Sequence, residues 1–179
     1  MKSIFIKTFV ITTMALSFIL TELAHAVESG KKEHDQVQAN LKRFDRLDFD
    51  AYSHRKDMNL FEKLHCPDVK VVFPDGRVTH GIPEHVSDVH NVLFNGTPDS
   101  RITSHPISFG SGDWTVATGV LEATFSEPMK MPDGKSIPST GKKVKISMAT
   151  IAKWMNGCIA EEHLFWDNGE YMKQLGIGQ

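Results

Sequence analysis

The stretch "NGCIAEEHLFWDN", Asn156 to Asn168, decides how the second half of the chain folds. Its Asn-Gly dipeptide stands between two β-type segments, "KKVKISMATIAKWM" before it and "CIAEEHLFWDN" after it. That arrangement is a strong hairpin signal, because both residues accept the positive φ of a type I′ turn. A two-residue loop then sets the register: Met155 faces Cys158, Trp154 faces Ile159, Thr150 faces His163, Met148 faces Phe165 and Ile146 faces Asp167. Side chains alternate across a sheet. One face is therefore expected to carry Val144, Ile146, Met148, Thr150 and Trp154 beside Ile159, Glu161, His163, Phe165 and Asp167. The other carries Lys145, Ser147, Ala149, Ile151 and Lys153 beside Ala160, Glu162, Leu164 and Trp166. The first face is the more apolar, so helices should cover it. His163 and Asp167 are then expected to point into an apolar enclosure, where ionisable groups have shifted pKa values and become candidates for chemistry.

Upstream, "DWTVATGVLEATF" and "RITSHPISF" read as further strands, and the segments before them read as helices. Val37, Leu41, Phe44 and Leu47 recur at helical spacing, as do Met58, Leu60, Phe61 and Leu64 in a helix from about Arg55 to Leu64. "VKVVF", the turn "PDG" and "RVTH" predict a short strand pair. Gly81 and Pro83 open a third helix, with Val86, Val89 and Leu93 as its buried stripe. Helices first, then a meander of antiparallel strands, is the expected order.

At the N-terminus Lys2 and Lys7 precede the apolar run "FVITTMALSFIL", and Ala24 and Ala26 flank a single residue in "ELAHA". This is the pattern of a cleaved secretory signal over residues 1–26. The apolar run falls short of the roughly 20 residues a bilayer span needs, so no membrane anchor is expected. The mature chain should begin at Val27 in an exported, oxidising compartment, the periplasm for a bacterial chain, with a flexible start over residues 27–35 and one domain over 36–179. There Cys66 and Cys158 could pair, or remain as buried free thiols. The charges, 20 Lys and Arg against 22 Asp and Glu, are balanced and form no basic block, which argues against nucleic acid as a partner.

The ordered series of a Gly-containing strand, "STGKKVKISM", "ATIAKWMNG", "IAEEHLFWDN" and a terminal "MKQLG" resembles the SnoaL-like polyketide cyclase or ester cyclase family, within the nuclear transport factor 2-like superfamily. The resemblance runs over roughly Gln36 to Gly176. It implies an α+β cone in which a curved antiparallel sheet wraps around N-terminal helices and leaves an internal cavity. It also implies a lyase or isomerase that works without metal or cofactor, closing a ring by an aldol step or moving a proton with an aspartate as acid/base. In many relatives the last strand reads Glu-Glu-Trp and then an acid. Here His163 stands at the Trp and Leu164 at the acid, so that aspartate is not transferred; Asp167 matches another family aspartate. The family's dimerisation through the outer sheet face implies a homodimer, here through Ile151, Leu164 and Trp166.

These readings make Asp167 and His163 the catalytic candidates, with Met148, Phe165, Ile146, Thr150, His105 and Trp114 as the walls of a pocket for a small hydrophobic or carbonyl compound. At about 13 Å apart along a strand, His163 and Asp167 could act only on opposite ends of a ligand. Each has a plainer reading, His163 as a core histidine satisfied by a neighbour and Asp167 as the cap of the C-terminal helix. His105 shares a face with Ile107 and Phe109, while Pro106 suggests a bulge or edge. Glu122 is expected on a sheet face with Trp114, Val116, Thr118 and Val120, exposed or pocket-lining. His65 and His80 near strand ends could mark the pocket mouth. His85 and His90, five apart on a helix, cannot chelate one ion as an i, i+4 pair would, and no other close spacing suggests a metal. The Gly-Lys-Ser at Gly134 lacks a phosphate-binding loop's first glycine, its place being taken by Met129. No Gly-x-Ser-x-Gly elbow is present. The alternative to an enzyme is a binding module using the same cavity.

Overall fold

The structure is a computed structural model describing residues 2–131 and 133–177, with side chains from residue 21 onward. Two compact units divide between Gln36 and Val37. The first is helical throughout, the N-terminal part of α1 (Lys2–Asp45), and every residue from Thr21 to Gln36 is exposed. The expected cleavage before Val27 falls inside this helix; Met1 lies outside the described residues. Among the described residues, no helix is long and apolar enough to cross a membrane.

The second unit begins with the last turns of α1, where Val37, Phe44 and, just beyond, Leu47 are buried as their spacing predicts. The chain then widens into a π-helical segment, Arg46–Tyr52, and a tight turn, Ser53–Arg55. It continues through α2 (Met58–Leu64), β1 (His65–Val72), β2 (Val78–His80) and α3 (Ile82–Val89), which runs on into a second π-helical turn, His90–Phe94. Asp57 caps α2 by accepting from the Leu60 N–H at 2.9 Å. Strands follow: β3 (Arg101–Ile102), β4 (Ser108–Ser111), β5 (Trp114–Thr124), a small ribbon of β6 (Met129–Lys130) with β7 (Ser136–Ile137), β8 (Lys143–Met155) and β9 (Cys158–Trp166); α4 (Asn168–Leu175) ends the described chain.

The main sheet runs β2-β1-β9-β8-β5-β3, with β4 also paired to β5. It is antiparallel except at β1 and β9, which lie parallel, so the sheet is mixed rather than the antiparallel meander expected. Its inner face is apolar because β5 and β8 alternate strictly: Ala117, Leu121 and Ala123, with Val144, Ile146, Ala152 and Trp154, are buried together. Phe44, Phe61, Leu64, Val89, Leu93 and Phe94 pack onto that face from the helices. The core is one continuous cluster. Gly119 has a specific place in it, since a Cβ there would come within 2.9 Å of Met148 Cγ.

The decisive hairpin turns as its sequence predicts, with Asn156 at φ 52° and Gly157 at φ 84°. Met155 pairs with Cys158 and Trp154 with Ile159. There the expected register ends. The next pairs are Lys153 with Glu161, Ile151 with His163 and Thr150 with Leu164, a shift of one that leaves Ala160 as the extra residue of a β-bulge. A bulge exchanges the two faces of everything beyond it. Glu162 and Leu164 therefore point inward, while Glu161, His163 and Phe165 point outward. The parallel neighbour is irregular at the same level: β1 jumps from His65 opposite Ile159 to Lys70 opposite Glu161, across Pro67, which has no N–H for the ladder. A disulfide between Cys66 and Cys158 ties the two strands there.

Candidate active site

A small cavity lies between the inner sheet face and the helices. Leu47, Asp48 and Tyr52 wall it from the first π-helical segment, Phe61 from α2, Val89 and Leu93 from α3 and the turn after it, and Ile102, Met148, Thr150 and Leu164 from the strands. Three further side chains, His65, His85 and Glu162, complete the lining. The free space is about 40 Å³, room for a few waters. Two acids and two histidines thus share a mostly apolar enclosure.

They form two clusters. At one wall, the Glu162 carboxylate lies 3.7 Å from Nε2 of His65 and 3.7 Å from Nε2 of His85, and all three residues are buried. His65 sits where α2 passes into β1, and its Nδ1–H donates to the Phe61 carbonyl at 2.8 Å. A carbonyl can only accept, so Nδ1 carries a proton and Nε2 faces the carboxylate. Phe61 stacks on His85 at 5.3 Å between centroids, and the two imidazoles meet edge to face at 4.7 Å. Burial drives the His85 pKa down to about 3, with the neighbouring His65 adding to the effect and Glu162 opposing it. His85 is neutral. For Glu162 burial alone would raise the pKa, but the His65 contact and the nearby imidazoles outweigh it and hold the carboxyl below its ordinary value.

At the other wall, Asp48 accepts from His105 Nε2 at 2.8 Å, and His105 Nδ1 donates to Asp45 at 2.8 Å. Phe44 and Phe49 flank the ring. Burial pushes Asp48 above the usual aspartate range, and the charge of Glu162 adds to this, although the His105 hydrogen bond pulls the other way. Burial would lower His105, yet the two carboxylates outweigh it and raise its pKa. The π-helical segment brings Asp48 here, a geometry often found at functional sites; Ser53 Oγ donates to the Asp48 carbonyl at 2.6 Å and steadies the turn.

The structure divides the expected site residues: His163, Phe165 and Asp167 line an outer cleft together with Met148, away from the inner cavity's acids and histidines. Met148 and Thr150 line the cavity; Ile146 is buried in the core outside its lining. His163 is on the outer face because of the bulge, hydrogen-bonded to Glu161 at 3.0 Å, and Phe165 beside it is half exposed. Asp167 caps α4, accepting from the Glu170 N–H at 2.9 Å. Trp114 is on the outer face under the Lys153 ammonium, and Glu122 is there too, between Arg101 and Lys145. His105 stands behind Asp48, turned away from Ile107 and Phe109, because regular strand breaks between β3 and β4 and alternation does not carry across. Leu164, expected in a dimer face, is inside the cavity wall.

Asp48, Glu162 and His85 line the cavity without having been expected there. Asp48 lies on the apolar stripe of Phe44, Leu47 and Ala51, and His85 lies four residues before Val89; an ionisable residue on an apolar stripe is the signal both carried. Glu162 had none, short of locating the bulge.

Residues 45–175 match the model of the SnoaL-like polyketide cyclase family. The chain belongs to that family. Solved structures share its nuclear transport factor 2-like fold. A candidate SnoaL-like polyketide cyclase from Jannaschia sp. CCS1 is 18% identical, with a TM-score of 0.69, over 80% of this chain and 95% of its own. IdmH, a candidate polyketide cyclase from Streptomyces antibioticus, is 20% identical, with a TM-score of 0.62, over 77% and 99%. An NTF2-like protein of unknown function from Burkholderia pseudomallei is 18% identical, with a TM-score of 0.59, over 76% and 97%. No curated protein matches the chain.

Proposed function

We propose that the protein is an exported lyase or isomerase of the cyclase type, in which Asp48 removes a proton next to the carbonyl of a small substrate. One observation carries this reading: a buried carboxyl on the cavity wall whose pKa is raised by its surroundings. A raised carboxyl is a better base, and catalysis favours a pKa near the working pH. His105, braced by Asp45, holds one Asp48 oxygen in place. Across the cavity, the neutral His85 ring has an N–H that can donate to the substrate's oxygen. The free volume is far below that of a drug-sized site, which favours a compact substrate or one that spreads the walls on entry. Export is supported by the signal-like start and by a disulfide suited to an oxidising compartment.

Screening small β-keto esters and lactones for turnover provides the test. Asp48→Asn keeps the shape and removes the base, so kcat should fall by about 10² or more with ligand affinity retained. The wild-type kcat/KM should rise with pH through a pKa above the ordinary aspartate range. Turnover indifferent to Asp48→Asn would overturn the assignment. Tight ligand binding without turnover, unchanged by Asp48→Asn, would identify a binding module instead.

A further inference from the structure

We propose that His65, His85 and Glu162 bind one divalent transition-metal ion of the zinc or ferrous class. Their ligand atoms all lie within 4.8 Å of one another, and all three side chains are buried. Two imidazoles and one carboxylate are a donor set suited to such ions, which keep further positions open for water or substrate.

The arrangement as it stands is short of partners. Nε2 of His65 and both ring nitrogens of His85 are buried and make no hydrogen bond among the described residues. The 3.7 Å contacts from each imidazole to Glu162 are too long to be hydrogen bonds. Buried polar atoms are rarely left so, and an orphaned cluster calls for an explanation such as an ion. Donors around a metal at about 2.0–2.2 Å sit about 3–3.5 Å from each other. The two carboxylate–imidazole spacings of 3.7 Å are a few tenths of an ångström wider, and the group as a whole, within 4.8 Å, closes on an ion by side-chain rotation.

The supporting contacts also fit. A ligating imidazole commonly donates its other N–H to a carbonyl or carboxylate, which fixes the tautomer and aims the lone pair. His65 does this through Phe61, leaving Nε2 directed at Glu162. The disulfide at the neighbouring Cys66 pins His65 to the strand that carries Glu162. A cation held there would face the same cavity as Asp48 and could polarise a carbonyl oxygen. The site rests on its own geometry, so it can stand or fall apart from the role given to Asp48.

The test uses the full chain, stripped with a chelator, dialysed and titrated with Zn²⁺ by calorimetry. The expected result is one ion per chain, a Kd of about micromolar or tighter, and a raised melting temperature. Glu162→Gln and His85→Gln should each weaken binding by about 10² or more, a loss at least as large as that for supporting residues. Should either variant fail to fold, the visible absorption of the wild type with Co²⁺ reports the ligands directly, and nitrogen and oxygen ligation is expected. Folded wild type that takes up neither Zn²⁺ nor Co²⁺ overturns the proposal. So does uptake that both folded variants leave unchanged, which would place the ion on other histidines.

Discussion

His85 and His105 are both shielded from solvent, with side-chain exposures of 3% and 5%, yet their surroundings push them in opposite directions. His85 faces another imidazole and a carboxylate 3.7 Å away, and desolvation wins: the ring is neutral, with its pKa down to about 3. His105 lies 2.8 Å from carboxylates on both sides, and the hydrogen bonds win: its pKa is raised. Burial alone therefore does not set the state of a histidine. Less than an ångström of separation from a carboxylate, and a second carboxylate, decide which way the ring's pKa moves.

The largest expected effect follows from His85. Its folded pKa lies below the unfolded value of about 6.5, so the unfolded chain binds a proton that the folded chain refuses. Stability is lost as pH falls from 6.5 towards 3, by up to about 5 kcal/mol from this group. Glu162, with its depressed pKa, adds a loss of the same sign below the ordinary glutamate range, while Asp48, raised, acts in the opposite sense. Urea titrations of the metal-free protein between pH 7 and pH 4 should show a steep fall for wild type and a shallower one for His85→Gln. His105 has the reverse sign: its contribution is complete below 6.5 and is lost as pH rises through its higher folded value. Parallel curves for wild type and His85→Gln would break the comparison.

The disulfide sharpens it further, because it ties down one cluster and not the other. Cys66 and Cys158 are 92 residues apart, and closing a loop of that size is worth about 4–5 kcal/mol in the chain-entropy account. Replacing both with serine should lower stability by an amount of that order. In hydrogen exchange, the loss of protection should concentrate around His65 and Glu162 and spare the backbone near Asp48. Equal loosening at both walls would show that the two clusters are not independently held.

The contrast between the walls also explains what could be read from the amino-acid order. Helical spacing placed Phe44, Leu47, Phe61 and Val89 in the core, and Asn156-Gly157 placed the hairpin turn, because these signals are local. The β8 face was legible too, from Val144 to Trp154. The bulge at Ala160 was not, since it arises where β9 meets a parallel partner interrupted by Pro67, a neighbour far away in the chain. One extra residue exchanged Glu161 for Glu162 and His163 for Leu164. His65, His85 and Glu162 come from three separate segments, so no spacing rule could assemble them.

The smallest expected effects test the outer side of that exchange. Glu161, one residue from Glu162, pairs with Lys70 at 3.0 Å and with His163 at 3.0 Å on the outer face. Exposed pairs of this kind contribute about 0–1 kcal/mol. His163→Gln should therefore change stability by no more than about 0.5 kcal/mol and leave both turnover and Zn²⁺ uptake at wild-type levels. Asp167→Asn keeps a capping side chain at the start of α4 and should be similarly mild, whereas Asp167→Ala removes the cap and should cost about 1 kcal/mol. Thermal melts, a turnover assay and a Zn²⁺ titration on the three variants together read the register of β9 in solution. Loss of activity or of ion binding in His163→Gln, with stability intact, would mean that His163 faces inward after all, and the assignment of Glu162 to the cavity would fall with it.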